Sequence, residues 1–171
     1  MERRFTDPGV RLHEFADEVL VRCPRCGGRA LVLARLGDRC EHRWTGGREH
    51  TRRLLRCGCG YAVDGFPAQR TFGGPVDPYF ELPLWLDAEC CGGRRLWAYN
   101  PAHLDLLEDY VAAGLRERGA VPGMTLVARL PAWVKSAKHR DEVLRTIRRL
   151  RASVPPARRA SRPAADTDAA R

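Results

Sequence analysis

Short apolar runs recur through the first third of the chain at the intervals expected for β-strands. The segments 18–23 (EVLVRC), 29–36 (RALVLARL) and 51–57 (TRRLLRC) have Val or Leu at their centres and are separated by polar or glycine-containing stretches, a pattern that predicts three strands. The stretch between the last two (37–50, GDRCEHRWTGGREH) is polar and is predicted to be a long hairpin tip. We expect 60–65 (GYAVDG) to lead the chain out of this unit.

The second half of the chain begins with a predicted β-hairpin. Two apolar and aromatic runs at 79–86 and 96–99 flank a turn that contains glycine, and this arrangement is typical of a hairpin. We expect its aromatic side chains to pack as core residues against the helix that follows. The alternative is an open sheet face on which bases or a partner peptide would stack. These side chains are Tyr79, Phe80, Trp85, Trp97 and Tyr99.

A helix is predicted directly after the hairpin. Asn100 and Pro101 form its start signal, because asparagine caps a helix and proline suits the first helical position. Apolar residues then follow at three- and four-residue steps, and the helix is predicted to end at Gly119. The residues at these steps are Leu104, Leu107, Val111 and Leu115.

Further helical segments are predicted towards the end. The stretch 125–137 (TLVARLPAWVKSA) predicts a short helix that is interrupted at Pro131. The stretch 139–153 (HRDEVLRTIRRLRAS) predicts a last helix with an apolar face. That face consists of Val143, Leu144, Ile147 and Leu150.

Together these segments predict an α+β fold, in which a small β ribbon precedes a β-hairpin packed with two to three helices. We assign residues 1–65 to the ribbon with its lead-in and 79–153 to a small α+β region. Residues 66–78 are rich in Pro and Gly and form a linker or ordered loop. Residues 154–171 lack periodicity and are rich in Pro, Ala and Arg, which predicts a disordered tail.

Composition adds an uneven positive charge to this pattern. The 171-residue chain carries a net charge of +9. Residues 21–60 hold ten Arg against three acidic residues, and 132–162 hold ten Lys or Arg against two, whereas 61–131 are slightly acidic. Clustered positive charge is typical of proteins that bind polyanions. The alternative is an Arg-rich solvated surface, since only two of the basic residues are lysine.

The cellular compartment follows from the absence of two signals. No run of about 18 apolar residues occurs, and acidic residues interrupt the N-terminal stretch where a signal peptide would have an apolar segment. We therefore expect a cytoplasmic protein. Its seven cysteines would be reduced there, and clustered reduced cysteines indicate metal binding more often than disulfides.

Four cysteines form two closely spaced pairs, Cys23 with Cys26 in CPRCGG and Cys57 with Cys59 in CGCGY. Glycines relieve the tight turns, so that both thiolates of a pair can point at one ion. Zinc binds four thiolates tetrahedrally, and such a site leaves no open position for water or substrate. We predict one structural Zn²⁺ bound by these four cysteines; the alternative is that they are ordinary small core residues.

The second pair is one residue shorter than a C-x-x-C, which leaves the fourth ligand open. Cys40 and His42 at the hairpin tip, or His50 beyond it, could replace Cys57. The remaining neighbours, Cys90 and Cys91, are adjacent in sequence and are predicted to pack at a hairpin turn. The alternative for them is a reactive thiol whose pKa is lowered by a nearby arginine, Arg94 or Arg95.

The two cysteine turns, CPRCGG and RLLRCGCGYA, resemble the TFIIB-type zinc-ribbon family. Over residues 20–152 the chain also resembles a group of small uncharacterised bacterial proteins that carry such a ribbon. The segments VDPYFELPLWL, CCGGRRLWAYNPAHLDLLEDYVAAGLRER and LPAWVKSAKHRDEVLRTIRRLR continue this second resemblance. It implies a ribbon fused to a small α/β region and no established activity. Arg56 stands where the family pattern has the first cysteine of its second pair.

No enzyme is predicted. The motifs of serine hydrolases, zinc proteases and phosphate-binding loops do not occur. His103 with Asp105 and Glu108 could form an acid–base group, but a histidine at this helix position is more often a capping or surface residue.

We predict non-specific binding of DNA or RNA through basic residues that neutralise phosphates. The alternative is a protein-interaction adaptor that docks on transcription or replication machinery by its ribbon or by its aromatic hairpin. The residues predicted to contact nucleic acid are Arg52, Arg53, Lys138, Arg140, Arg145, Arg148 and Arg149.

Overall fold

The computed structural model of this chain describes residues 3–39, 51–67, 72–117, 119 and 124–154. The strands are β1 (Arg4–Thr6), β2 (Glu18–Arg22), β3 (Arg29–Arg39), β4 (Thr51–Cys57), β5 (Ala62–Gly65), β6 (Leu86–Cys90), β7 (Arg94–Ala98) and β8 (Leu115–Glu117). The helices are α1 (Pro101–Ala112), α2 (Leu126–Arg129), α3 (Ala132–Lys135) and α4 (Arg140–Ala152), with 3₁₀ turns at Leu12–Phe15 and Ala137–His139. The predicted α+β class is confirmed.

Strands β2, β3, β4 and β5 form an antiparallel sheet in that order. The three predicted strands are present, with β3 three residues longer than expected, and β5 is a strand where we expected only an exit segment. Its sequence AVDG is too short and too polar to indicate a strand, and it becomes one by pairing with β4. The side chains of Val19 and Val21 on β2 and of Val32 on β3 are fully buried on one face of this sheet.

The hairpin of β6 and β7 is present, but its first strand starts later than predicted. The carboxylate of the fully buried Asp77 accepts hydrogen bonds from the backbone N–H groups of Tyr79 (3.0 Å), Phe80 (2.9 Å) and Leu82 (2.7 Å). These bonds hold 77–82 in a turn, in which Glu81 adopts a φ of 56°. The first part of the apolar run that we read as a strand is therefore folded back on Asp77. Pro83 and Leu84 form only isolated bridges, and strand β6 begins at Leu86.

Helix α1 starts as predicted and ends early. The side chain of Asn100 accepts the backbone N–H of His103 at 2.9 Å, and Pro101 is the first helical residue. The helix ends at Ala112 instead of Gly119, and Leu115 belongs to β8, which pairs in parallel with β1. This pairing joins residues more than a hundred positions apart, so local spacing could not reveal it.

The remaining helices follow the prediction. Pro131 separates α2 from α3, and α4 packs against α1 and β6. On α4, Val143 and Ile147 are fully buried and Leu150 is almost so. These side chains, together with residues of β6, β7 and α1, form an apolar core beside the core under the four-stranded sheet.

Some sequence-based expectations fall outside the described residues. They include the hairpin tip from Cys40 onward and the tail from residue 155 onward. Within the described ranges, no helix has the length and apolar character needed to cross a membrane. The division into a ribbon, a linker and an α+β region stays a prediction.

Candidate metal centre

The first cysteine pair lies in the turn between β2 and β3. The backbone N–H of Gly27 donates to the carbonyl of Cys23 (2.9 Å), and the N–H of Cys23 donates to the carbonyl of Gly28 (2.7 Å). Gly27 has a φ of 69°, a conformation in which a side chain is strained. Glycine therefore allows the chain to reverse within this short turn, with Cys23 and Cys26 on the same side.

The second pair lies in the turn between β4 and β5. The N–H of Gly60 donates to the carbonyl of Cys57 (3.1 Å), the N–H of Cys57 donates to the carbonyl of Tyr61 (2.9 Å), and Gly60 has a φ of 85°. Cys57 pairs with Ala30 across β3 and β4. This register places the second turn beside the first, at the same end of the sheet.

The four sulfurs lie at distances that suit a metal ion. The Sγ atoms of Cys23 and Cys59 are 3.8 Å apart, those of Cys26 and Cys57 are 3.6 Å apart, and all four lie within 4.8 Å of one another. Four Zn–S bonds of about 2.3 Å in a tetrahedron separate the sulfurs by about 3.8 Å. The donor set therefore fits a metal ion such as zinc, and two thiols from each turn would hold it.

The thiols affect one another's ionisation. Burial raises the pKa of Cys23, but backbone N–H groups of Cys26 and Arg25 hydrogen-bond to its sulfur, and the net effect lowers its pKa to about 7. A backbone hydrogen bond from Cys59 lowers the pKa of Cys57, but burial and the other thiols outweigh it and raise that pKa to about 12. Thiols this close do not all ionise together unless a cation neutralises them, and a coordinated metal deprotonates its thiol ligands.

The four predicted cysteines are thus brought together by two turns of one sheet. Cys23 is buried, Cys57 is half-buried, and Cys26 and Cys59 are exposed, so one side of the cluster faces solvent. The alternative ligands, Cys40, His42 and His50, lie outside the described residues.

A second group of side chains of the metal-ligand type lies at the turn between β6 and β7. Cys90 and Cys91 are buried with their Sγ atoms 2.7 Å apart, and Glu142 on α4 completes the group. The Glu142 carboxylate accepts the backbone N–H of Cys91 at 2.5 Å. Burial and the neighbouring Cys90 raise the pKa of Cys91 to about 12. These features agree with packing at the turn and disagree with an activated thiolate at Cys91.

Two of the arginines predicted to contact nucleic acid are engaged within the fold. Arg52 forms an ion pair with Asp64, with Nε 2.7 Å from a carboxylate oxygen. Arg53 is buried; its guanidinium donates to the carbonyl of Ala16 (2.7 Å) and to the hydroxyl of Tyr79 (2.6 Å). Placing Arg53 on a basic surface was therefore wrong, because the alternating pattern of β4 turns it into the core.

The other predicted basic residues lie on or near α4. Lys138, Arg145, Arg148 and Arg149 are exposed, and Arg149 also donates to the carbonyl of Glu89 at 3.3 Å. Arg140 is half-buried and donates to the carbonyl of Ala113 at 3.2 Å.

Four arginines of the basic block 21–60 surround the cysteine turns, although they were not named among the predicted contact residues. They are exposed, and none forms an ion pair with a carboxylate of the described residues. One of them, Arg22, lies over the ring of Trp85, 5.3 Å from its centroid. The signal was present in the sequence, because these residues directly adjoin or nearly adjoin the cysteines. The group consists of Arg22, Arg25, Arg29 and Arg56, and we call it the turn arginines.

The residues of the candidate acid–base group lie in different surroundings. His103 is buried rather than on the surface, and burial lowers its pKa to about 4. Asp105 and Glu108 both pair with Arg151. Of the two expected positions for His103, capping or surface, the surface one is wrong, because its ring packs against Phe15 with the centroids 5.0 Å apart.

The chain was compared with family models, curated proteins and solved structures. No family model, no curated protein and no solved structure matches the chain. The class of site defined here is a four-cysteine cluster across a small antiparallel sheet, which is consistent with a zinc ribbon.

Proposed function

We propose that this chain is a zinc-ribbon protein of the TFIIB type that binds DNA or RNA without sequence preference. Cys23, Cys26, Cys57 and Cys59 would hold one structural Zn²⁺. The role is binding rather than catalysis, because a zinc ion with four thiolate ligands has no position left for a substrate or an attacking water.

The observation that carries this proposal is the charge around the cysteine turns. The turn arginines project from the end of the sheet that the metal would hold, without carboxylate partners among the described residues. Arginine binds phosphate oxygens through its planar fork of N–H donors. The exposed turn arginines would therefore meet a phosphate backbone without first breaking an ion pair with a described carboxylate.

The exposed residues of α4 supply a second basic surface. Lys138, Arg145 and Arg148 are exposed and none pairs with a carboxylate of the described residues. Contacts of this kind neutralise phosphates and do not read bases, so they add affinity without specificity.

The test is binding of zinc-loaded protein to fluorescently labelled duplex DNA, single-stranded DNA and RNA at several salt concentrations. We expect affinity to fall steeply with salt, and we expect the triple variant Arg25→Gln, Arg29→Gln, Arg56→Gln to bind more weakly. Each lost phosphate contact should reduce the slope of log K against log salt on duplex DNA by about 0.9.

The matched control removes three positive charges elsewhere. Arg3, Arg4 and Arg151 each pair with a carboxylate, and their triple glutamine variant has the same net charge as the test variant. Equal weakening in both variants would mean that net charge alone acts. No binding at low salt would overturn the proposal and favour the adaptor alternative. In that case, salt-resistant binding of a protein partner that depends on Trp85 or Trp97 would be expected.

A further inference from the structure

A cavity of about 530 Å³ lies between the 3₁₀ turn at Leu12–Phe15, β7, α1 and the short helices α2 and α3. It is separate from the cysteine turns, and none of the turn arginines lines it. Its volume lies in the range of pockets that bind small molecules, about 300–1,000 Å³.

Aromatic side chains form much of the cavity wall. Trp97 from β7, Trp133 from α3 and Phe72 all line it, along with leucines of α1 and α2. Trp97 and Trp133 are only partly buried, so part of each side chain stays accessible. Flat aromatic faces bind planar rings by stacking.

His103 supplies a fixed hydrogen-bond donor to the lining of the cavity. Its Nδ1 accepts the backbone N–H of Tyr99 at 3.2 Å, so the proton of the neutral ring lies on Nε2. The side chain is almost completely buried and lines the cavity. No residue in the described part of the chain accepts a hydrogen bond from Nε2, which leaves this N–H available to a bound molecule.

The charge of the lining is one-sided. Arg11, Arg95 and Arg129 line the cavity, and no acidic residue does so among the described residues. Arg95 is paired with Asp87. Arg11 and Arg129 are exposed and form no ion pair within the described ranges. The mouth of the cavity is therefore complementary to an anion.

We propose that this cavity binds a small planar aromatic anion of about the size of a nucleoside monophosphate. The ring system lies against Trp97 and Trp133, and the acidic group meets Arg11 and Arg129. The N–H of His103 donates to an acceptor on the ring. This site is a small-molecule site independent of the nucleic-acid surface proposed above.

The first test measures binding of defined probes by isothermal titration calorimetry, with tryptophan fluorescence as a second readout. The probes are adenosine 5′-monophosphate, 2-naphthoate, adenosine and ribose 5-phosphate. The proposal expects at least one of the two aromatic anions to bind at least about tenfold more tightly than both adenosine, which lacks the acidic group, and ribose 5-phosphate, which lacks the ring. The comparison of the two anions shows whether phosphate or carboxylate is preferred.

The second test locates the site. The double variant Arg11→Gln, Arg129→Gln should weaken binding of the aromatic anion at least about tenfold, since each residue loses a charge-assisted hydrogen bond. The control Arg3→Gln, Arg4→Gln makes the same charge change at exposed positions outside the cavity and outside both basic surfaces and should leave affinity unchanged. All four positions are exposed, and an unchanged thermal unfolding midpoint verifies that each variant folds.

Three outcomes would overturn the proposal. The first is no binding of either aromatic anion at millimolar concentration. The second is binding of adenosine as tight as that of the anions. The third is loss of binding in the triple variant Arg25→Gln, Arg29→Gln, Arg56→Gln but not in the cavity variant, which would place the probe on the nucleic-acid surface instead.

Discussion

The described residues contain two groups of neighbouring cysteines, and they are built in opposite ways. The group at the end of the sheet takes one pair from each of two turns and leaves two of its four thiols exposed. The group at the β6–β7 turn takes two adjacent residues and buries both. Only the first group separates its closest thiols, at 3.6 and 3.8 Å, by about the distance between tetrahedral zinc ligands.

This difference shows that proximity alone does not make a metal site. Cys90 and Cys91 share one backbone segment, and their sulfurs, 2.7 Å apart, are too close to occupy two corners of a zinc tetrahedron. The nearby carboxylate of Glu142 is already bonded to the N–H of Cys91. Residues separated in sequence can approach an ion from different directions, and the sheet of β2 to β5 brings them together.

The largest expected effect is that of metal removal. Structural zinc contributes about 10–16 kcal/mol of apparent binding free energy at pH 7 in small zinc domains, which is comparable to the whole stability of an ordinary domain. We expect one zinc per chain in the wild type, a loss of zinc in Cys26→Ser and Cys57→Ser, and loss of hydrogen-exchange protection in β2 to β5 after chelation. The core around α4 should keep more of its protection.

Elemental analysis and hydrogen exchange followed by mass spectrometry measure these effects. Zinc retained at full occupancy in Cys57→Ser would move the fourth ligand to Cys40, His42 or His50. Unchanged protection of the sheet without metal would remove the basis of the comparison.

Acid should weaken the other half of the molecule through His103. Burial lowers its pKa in the folded state to about 4, below the ordinary value of 6.5. Between those values the unfolded chain binds more protons than the folded one, so stability falls as the pH drops from about 6.5 to 4. The shift corresponds to a loss of about 3 kcal/mol.

Urea unfolding of the wild type and His103→Gln at several pH values measures this contribution. The wild type should lose stability relative to His103→Gln as the pH falls, because only the wild type has this buried histidine. Loss of metal in acid should affect both proteins equally and therefore cancels in the comparison. His13→Gln, at an exposed histidine, should follow the wild type. Parallel profiles for wild type and His103→Gln would contradict the prediction.

Cys90→Ala sharpens the contrast between the two cysteine groups. Cys90 is only 4% exposed, and truncating a small buried side chain should cost about 1–2 kcal/mol. Zinc content should stay at the wild-type value, because this sulfur is not expected to bind the ion. Chemical denaturation and metal analysis of the same sample test both statements, and a fall in zinc content would show that the second group binds metal after all.

The smallest expected effect separates two glycines of the second cysteine turn. Gly60 has a φ of 85° and open space where a Cβ would lie. Gly60→Ala should therefore reduce the free energy of zinc binding by about 1–2 kcal/mol, through backbone strain in the folded turn alone. Gly58 also has open space but no left-handed conformation, and Gly58→Ala should be nearly neutral. Competition with a chromogenic zinc chelator measures both variants, and equal affinities would mean that the turn adapts without strain.

Sequence patterns predicted the parts of the fold that depend on local signals. Asn100 with Pro101 marked the start of α1, and the cysteine turns followed from glycine placement. The pattern failed where distant residues decide the structure. Asp77 folds back a run that reads as a strand, and β1 removes Leu115 from a predicted helix. For the candidate site, the four cysteines were foreseen, whereas the burial of Arg53 depends on which face of β4 meets Tyr79.

The parallel pairing of β1 with β8 also has a consequence for synthesis on the ribosome. Arg4 pairs with Leu115, so the first strand emerges long before its partner. At about 5–20 residues per second, the partner strand is made several seconds or more after β1. Strands β2 to β5 end at Gly65, so all four cysteines of the cluster are made during this interval and could bind a metal ion before residue 115 is made. The pairing of β1 with β8 would then be among the last contacts to form.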